Sequence, residues 1–234
     1  MMEEIPNVLV CSPTADKKKY CEDDWLDLVH SLSYPKYDIL LVDNSTTKAN
    51  YKRLNGLGVH TKYITPKNQD ITQTLAVCHN VCRDYAKQKG YGYILHLETD
   101  VFPPKDVIEE LMVYNKPVIG GWYDVFNGVE RKSVIQITED KNAIMDIAPY
   151  LEDYDTTFCD GEVKRCYHTG LGCSLISKNI FSQIPFRMIK GEFTFPDSVF
   201  AYDLFVKGIP MYVHTGVVCE HRNHDWGFYK IDFK

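Results

Sequence analysis

The segment GYGYILHLETDVFPPKDVIEELM, from Gly90 to Met112, decides the fold predicted for this chain. It begins with an apolar run of the kind that forms a buried β-strand. The run stops at two carboxylates, Glu98 and Asp100, and two prolines then stiffen the turn and open a helix. We therefore expect a strand inside a parallel sheet, with the carboxylates at its carboxyl end, where open α/β sheets bind ligands.

The first hundred residues alternate strand and helix patterns, and the second half changes to short strands and loops. The predicted strands cover 7–13, 37–45, 60–66 and 91–100, and the predicted helices cover 21–34, 72–90 and 103–114. Alternation of this kind is typical of a mostly parallel sheet with helices on both faces. No linker or repeat separates the halves, so we expect one α/β domain over 1–234.

Composition limits the classes of function. The chain has 234 residues and a formal charge of -6, which gives no electrostatic basis for nucleic-acid binding. No apolar run is long enough for a transmembrane segment, and the start lacks the features of a signal peptide. The eight cysteines, several within apolar runs, suit a reducing, cytoplasmic setting.

Cys78 and Cys82 have helical spacing, which fits either a zinc site or simple packing of the two thiols. No second cysteine pair follows at the spacing of a zinc finger.

Three predicted strand ends are polar, at 12–14, 43–45 and 98–100. In the last of these, alternation along the strand places Glu98 and Asp100 on the same side. Two such carboxylates repel each other unless a cation lies between them, and oxygen ligands suit Mg²⁺ or Mn²⁺. The alternative is an acidic, solvated loop.

Five segments, taken in order, resemble glycosyltransferases of the GT-A fold, in a family-2-like form. They are LLVDNS at 40–45, TLAVCHNVCRDYA at 74–86, YILHLETDVFPPKDVIEELM at 93–112, HTGLGCSLISKNIF at 168–181 and PDSVFAYDLFVKGIPMYVHTGVVCEH at 196–221. The resemblance implies a Rossmann-like, mostly parallel sheet flanked by helices, with a nucleotide-binding half over 1–100. It implies a mixed α/β acceptor-binding half over 101–234.

The resemblance also implies roles for residues on the donor side. Glu98 and Asp100 form an E-T-D version of the family's D-x-D motif, which holds a metal ion bound to the donor diphosphate. His221 stands at the position of the late metal ligand. The expected donor-binding residues, including the two acidic ones, are Thr14, Asp43, Asn44, Asn80, Glu98 and Asp100. His79 stands where the family usually has arginine.

On the acceptor side, the resemblance places Asp197 at the catalytic base, with Pro196 where a glutamate is usual. A base there would take the proton of an acceptor hydroxyl, and in-line attack would invert the anomeric centre. Asp197 is alternatively a helix cap. Gly170 and Gly172 belong to the loop that shapes the acceptor pocket, and Trp122 is either a platform for a sugar ring or a core residue.

The function expected from the resemblance is a metal-dependent glycosyltransferase of the hexosyltransferase type. It would use Mn²⁺ or Mg²⁺ and move a sugar from a nucleotide-diphosphate sugar, with UDP-sugars favoured, to a carbohydrate or glycan acceptor. Two alternatives stay open, a nucleotidyltransferase on a related fold and a non-catalytic nucleotide-sugar or carbohydrate-binding module. The first would be expected to carry a glycine-rich phosphate loop, which CSPTADKKKY at 11–20 lacks.

Overall fold

A single eight-stranded sheet organises the fold. The computed structural model describes residues 5–66, 70–126, 131–137, 152–153, 159–189 and 195–223. The strand order in the sheet is β11-β13-β6-β12-β4-β1-β2-β3. These strands are β1 Val8–Thr14, β2 Tyr37–Asp43, β3 Thr61–Tyr63, β4 Tyr93–Leu97, β6 Val118–Trp122, β11 Val163–Cys166, β12 Cys173–Ser177 and β13 Met211–Val218. Only β11 and β12 among them run against the others, so the sheet is mostly parallel, as predicted.

Helices cover the sheet, and short strand pairs lie beside it. The helices are α1 Lys19–Val29, α2 Ala49–Gly56, α3 Ile71–Lys89, α4 Val107–Met112, α5 Lys178–Gln183 and α6 Pro196–Val206, and a 3₁₀ turn covers Asp16–Lys18. The small pairs join β5 Val101–Phe102 to β14 Glu220–His221, β7 Asp124–Phe126 to β8 Arg131–Ser133, and β9 Gln136–Ile137 to β10 Glu152–Asp153. Within the described ranges, no helix combines the length and the apolar character needed to cross a bilayer.

Period-two alternation in β1 explains why the sheet is buried on both faces. Leu9 and Cys11 pack into one hydrophobic cluster, which contains Cys78 and Cys82 of α3. Val8 and Val10 pack into the other, which contains Trp25 of α1. Because successive side chains point to opposite faces, one continuous apolar run supplies both clusters. Cys78 and Cys82 are fully buried free thiols, which supports the packing interpretation over the zinc one.

The helix α3 has the ends that its sequence indicates. Asp70 is the N-cap and accepts a hydrogen bond from the Gln73 amide, at 2.8 Å. Gly90 is the C-cap, with a φ of 77° in the left-handed region, and its amide donates to the Ala86 carbonyl. Glycine is favoured at this position because other residues adopt a left-handed backbone only at a cost.

One predicted boundary is wrong in a way that bears on function. β4 ends at Leu97, so Glu98 and Asp100 do not lie on the strand. The Val101 amide donates to the Glu98 carbonyl at 2.9 Å, which closes a turn over 98–101. The Glu98 amide donates to the Gly172 carbonyl, also at 2.9 Å, so the chain is still anchored to the loop before β12. A tight turn, rather than strand alternation, therefore brings the two carboxylates near each other.

The geometry of Gly90 gives a test of the α3 C-cap. We expect Gly90→Ala to lower the free energy of unfolding by about 1 kcal/mol, because alanine is disfavoured at positive φ. Gly56→Ala is the matched control, since an added Cβ would meet nothing within 4 Å at either position and Gly56 has no positive φ. Urea unfolding of the two variants measures the difference. Equal stabilities for both would contradict the assigned role of Gly90.

Candidate active site

A compact acidic group lies at the carboxyl edge of the sheet. Glu98, Asp100 and His221 each offer a potential metal-ligating atom, and these atoms lie within 4.8 Å of one another. His221 reaches the group because β14 pairs with β5, which places His221 opposite Val101. The Arg222 amide also donates to the Asp100 carbonyl, at 2.9 Å. The pairing of two short strands therefore joins the segment around His221 to the turn after β4.

The imidazole of His221 is held in one orientation. Its Nδ1 lies 2.7 Å from the Asp124 carbonyl oxygen. Because a carbonyl oxygen only accepts, Nδ1 carries the proton and donates it. With Nδ1 engaged by the backbone, Nε2 faces the acidic group and lies 3.4 Å from Asp100 Oδ2. A backbone acceptor behind the ring is the arrangement that orients histidine ligands in metal sites.

Lys18 reaches the same carboxylate from the other end of the chain. Its Nζ donates to Asp100 Oδ2 at 2.5 Å, and the Asp100 side chain has 0% exposure. Burial acts to raise the pKa of Asp100, but Lys18 and His221 outweigh it and lower the pKa below its usual value. Burial raises the pKa of Glu98, and the charge of Asp100 adds to that effect. The two carboxylates therefore differ in acidity because Lys18 and His221 both contact Asp100.

Sequence reasoning missed Lys18. It is one of three consecutive lysines after β1, and their pattern gives no sign of which one points inward. The 3₁₀ turn Asp16–Lys18 decides this, because Lys19 instead pairs with Asp16 at the surface. The one available signal was the position of the run, which begins three residues after a polar strand end.

Asp197 lies in the first turn of α6 and faces a histidine. Its Oδ1 accepts from the Ser198 amide at 2.8 Å, and its Oδ2 lies 3.4 Å from His168 Nε2. Phe195, not Asp197, is the N-cap residue. Burial acts to raise the pKa of Asp197, but the hydrogen bond and charge of His168 make the net shift downward. His168 is a second residue that the sequence analysis did not single out.

Tyr123 joins the two acidic centres and explains the glycines before β12. Its hydroxyl accepts from the Gly172 amide at 2.9 Å, and its ring centroid lies 5.5 Å from that of His221. Burial raises the pKa of Tyr123, and the charges of Glu98 and Asp197 raise it further. A Cβ on Gly172 would lie 2.5 Å from Tyr123 Cζ, and Gly170, with a φ of 67°, also faces the phenol. Both glycines are buried and make room for Tyr123, so neither offers an exposed surface.

The predicted donor residues on β1 and β2 are adjacent and mostly buried. Thr14 pairs with Asp43 in the parallel ladder. Asp43 is fully buried, and its Oδ1 accepts from the amide and the hydroxyl of Ser45, at 2.9 and 2.5 Å. The Thr14 hydroxyl donates to Glu22, at 2.5 Å. Asn44 is half-buried, so it has the most accessible side chain of these strand ends.

The structure gives Asn80 a different environment from the one expected. Its Nδ2 donates to the Phe186 carbonyl at 2.6 Å, and its Oδ1 accepts from the Phe186 amide at 3.1 Å. These reciprocal bonds tie α3 to the chain after α5. Both ends of the side-chain amide are occupied by backbone groups, so the geometry favours a structural role over donor contact.

Two further residues of the sequence analysis, Trp122 and His79, lie at or in the core. Trp122 is half-buried and packs against a hydrophobic cluster, while its carbonyl accepts from the Cys219 amide at 2.8 Å. His79 packs against Phe186, and burial lowers its pKa to about 4. An uncharged, buried imidazole therefore stands where the resemblance has arginine, which removes a phosphate contact at this position.

Solved structures of other proteins share this fold. The mannosyltransferase PcManGT from Pyrobaculum calidifontis, in complex with GDP-Man and Mn²⁺, is 13% identical with a TM-score of 0.57, over 93% of this chain and 57% of that chain. TarS 1-349 from S. aureus, in complex with UDP-GlcNAc, is 13% identical with a TM-score of 0.58, over 91% of this chain and 57% of that chain. The present chain thus spans little more than half of each. No protein-family model and no curated protein matches it. The fold is therefore of the GT-A type, as predicted.

Asn80 offers a test of its structural role. We expect Asn80→Ala to lower the free energy of unfolding by roughly 1–3 kcal/mol, because both backbone groups of Phe186 lose their partner. Asn55→Ala is the matched control, since Asn55 is an exposed helical asparagine that donates to the carbonyl four residues before it. Thermal and urea unfolding check the difference. A stable Asn80→Ala protein with weakened binding of UDP or GDP would favour the donor role instead.

Proposed function

We propose that this chain is a metal-dependent glycosyltransferase. It transfers a sugar from a nucleotide-diphosphate sugar, with UDP-sugars the first donors to test, to a hydroxyl of a carbohydrate or glycan. The observation that carries the proposal is the group of Glu98, Asp100 and His221, whose potential ligand atoms lie within 4.8 Å of one another at the carboxyl edge of a GT-A-type sheet. The Mn²⁺ and GDP-Man of PcManGT and the UDP-GlcNAc of TarS support it as precedents on the same fold.

The side chains of this group fit a divalent cation. Glu98 and Asp100 supply carboxylate oxygens, and His221 supplies a nitrogen whose direction is fixed by Asp124. Carboxylates suit both Mg²⁺ and Mn²⁺, and Mn²⁺ accepts an imidazole ligand more readily than the harder Mg²⁺ does. When bound, the cation would neutralise the negative charge that builds on the diphosphate as its bond to the sugar breaks.

Asp197 acts as the general base in this proposal. The Ser198 amide and His168 hold its two oxygens, so the carboxylate has a fixed direction. Its lowered pKa keeps it ionised near neutral pH, and its place in the first turn of α6 stabilises the negative charge. An ionised carboxylate takes the proton from the acceptor hydroxyl as that oxygen attacks the sugar. Attack opposite the departing diphosphate inverts the anomeric centre.

The remaining predicted residues form the walls of the proposed site. Thr14, Asp43 and Asn44 lie at the ends of β1 and β2, where we place the base and ribose of the donor. Because Thr14 and Asp43 are buried, Asn44 is the side chain best exposed for direct contact. Trp122 and the glycine loop at 170–172 belong to the acceptor side, and the glycines act there by supporting Tyr123.

Cellular setting is part of the proposal. All eight cysteines are free thiols, and seven of them are buried. Free thiols persist in reducing compartments, so we place the protein in the cytoplasm.

Replacement of the proposed base tests the mechanism. We expect Asp197→Asn to reduce sugar transfer about 10²- to 10⁴-fold while nucleotide binding is kept, because an amide does not accept the proton. Asp203→Asn is the control, since Asp203 lies on the same helix and pairs with Arg187 outside the site. Transfer is measured as release of nucleoside diphosphate. An Asp197→Asn protein with near wild-type turnover would refute the assignment.

Removal of the metal tests the class of enzyme. We expect a chelator to abolish transfer by the wild type and Mn²⁺ to restore it. Transfer by Asp100→Asn should not be restored by Mn²⁺. The exposed control Asp106→Asn should lose and regain transfer as the wild type does. Mn²⁺ should also raise the melting temperature of the wild type but not that of Asp100→Asn. Release of pyrophosphate would instead favour a nucleotidyltransferase. Binding of nucleotide sugars without any product would favour a binding module.

A further inference from the structure

Lys18 lies where a divalent cation would compete with it. Its Nζ is 2.5 Å from Asp100 Oδ2, and the same oxygen lies 3.4 Å from His221 Nε2. Oδ2 is therefore the Asp100 oxygen that faces both Lys18 and the potential ligand His221. The side chain of Asp100 has 0% exposure and that of Lys18 has 14%, so little water screens this ion pair.

Lys18 and a divalent cation are mutually exclusive partners of this oxygen. An Mg²⁺ or Mn²⁺ ion binds a carboxylate oxygen at roughly 2.0–2.2 Å. An ammonium at hydrogen-bond distance from the same oxygen would then lie in direct contact with the ion, and the two positive charges would repel strongly in a site of low exposure. One cation leaves when the other arrives.

We propose that Lys18 occupies the cation position in the ligand-free protein and is displaced when the divalent metal binds, whereupon its ammonium contacts the donor diphosphate. This inference rests on the proposed function for the identity of the metal and of the diphosphate. Lysine is suited to the exchange because its charge sits on a flexible four-carbon stem. Lys18 ends the 3₁₀ turn that follows β1, so a small change in its side-chain conformation keeps the ammonium at the edge of the sheet where we place the donor.

The exchange links two binding events. Metal binding alone breaks the Lys18 to Asp100 ion pair, which weakens the affinity for the metal. A bound diphosphate offers the displaced ammonium new oxygens and offsets that loss. Metal and diphosphate therefore favour each other, and by reciprocity each raises the affinity for the other.

The experiment measures Mn²⁺ affinity without any donor, by the electron paramagnetic resonance signal of free Mn²⁺. We expect Lys18→Met to tighten Mn²⁺ binding about tenfold, since the competing charge is gone and a partly buried ion pair no longer has to break. Lys18→Arg keeps the charge and should bind Mn²⁺ close to wild type. Lys19→Met is the matched control, because Lys19 is a neighbouring lysine that pairs with Asp16 at 3.0 Å and should leave the affinity unchanged.

Each outcome separates this inference from the proposed function. Equal Mn²⁺ affinities in wild type and Lys18→Met would overturn the displacement of Lys18 but leave a metal-dependent enzyme standing. Binding to Lys18→Met and not to wild type would support occupancy by Lys18 and overturn the metal dependence of the native protein. An absence of binding to both proteins would overturn both. Equal tightening by Lys19→Met would show a general charge effect and overturn the specific role of Lys18.

Discussion

The candidate site depends on the ionic interactions that compensate the negative charge of one buried carboxylate. Asp100 has no exposed side-chain surface, and an isolated charge in such a place is strongly unfavourable. Lys18 and His221 supply the compensation, from positions 82 residues before it and at the far end of the described chain. The β5 to β14 pairing and the Arg222 amide fix the same region through the backbone. Three distant segments are therefore held together around one side chain, and the same negative group is the centre of the proposed metal site.

Tyr123 connects this acidic group to the second carboxylate. The phenol lies between the glycine loop and His221, and its pKa responds to both Glu98 and Asp197. Because the Glu98 amide is also bound to the Gly172 carbonyl, the turn after β4 and the loop before β12 form one connected unit. The glycines act through the space they leave, since a side chain at Gly172 would overlap the Tyr123 ring. This connection gives the proposed metal site and the proposed base a common support.

Part of the candidate site could be predicted from the sequence, because strand ends are easy to locate. Apolar runs that stop at polar residues place Asp43 and Glu98 at one edge of a parallel sheet, and the structure has them there. The reason given for the pairing of Glu98 and Asp100 was wrong, because β4 ends before either residue and a turn brings them together. Asn80 fitted a motif but is bound to Phe186, since the motif carries no information on what lies opposite α3.

The sequence by itself determined the α/β class and most of the alternating strands and helices of the first half, because local periodicity fixes these properties. It also marked Asp100, Asp197 and His221, through motifs whose order along the chain matched a known pattern. Only the tertiary structure decided which lysine faces Asp100, which backbone carbonyl orients His221, and that His168 and Tyr123 contact residues of the candidate site. These features depend on contacts between residues far apart in the chain, and a local sequence pattern gives no information about such contacts.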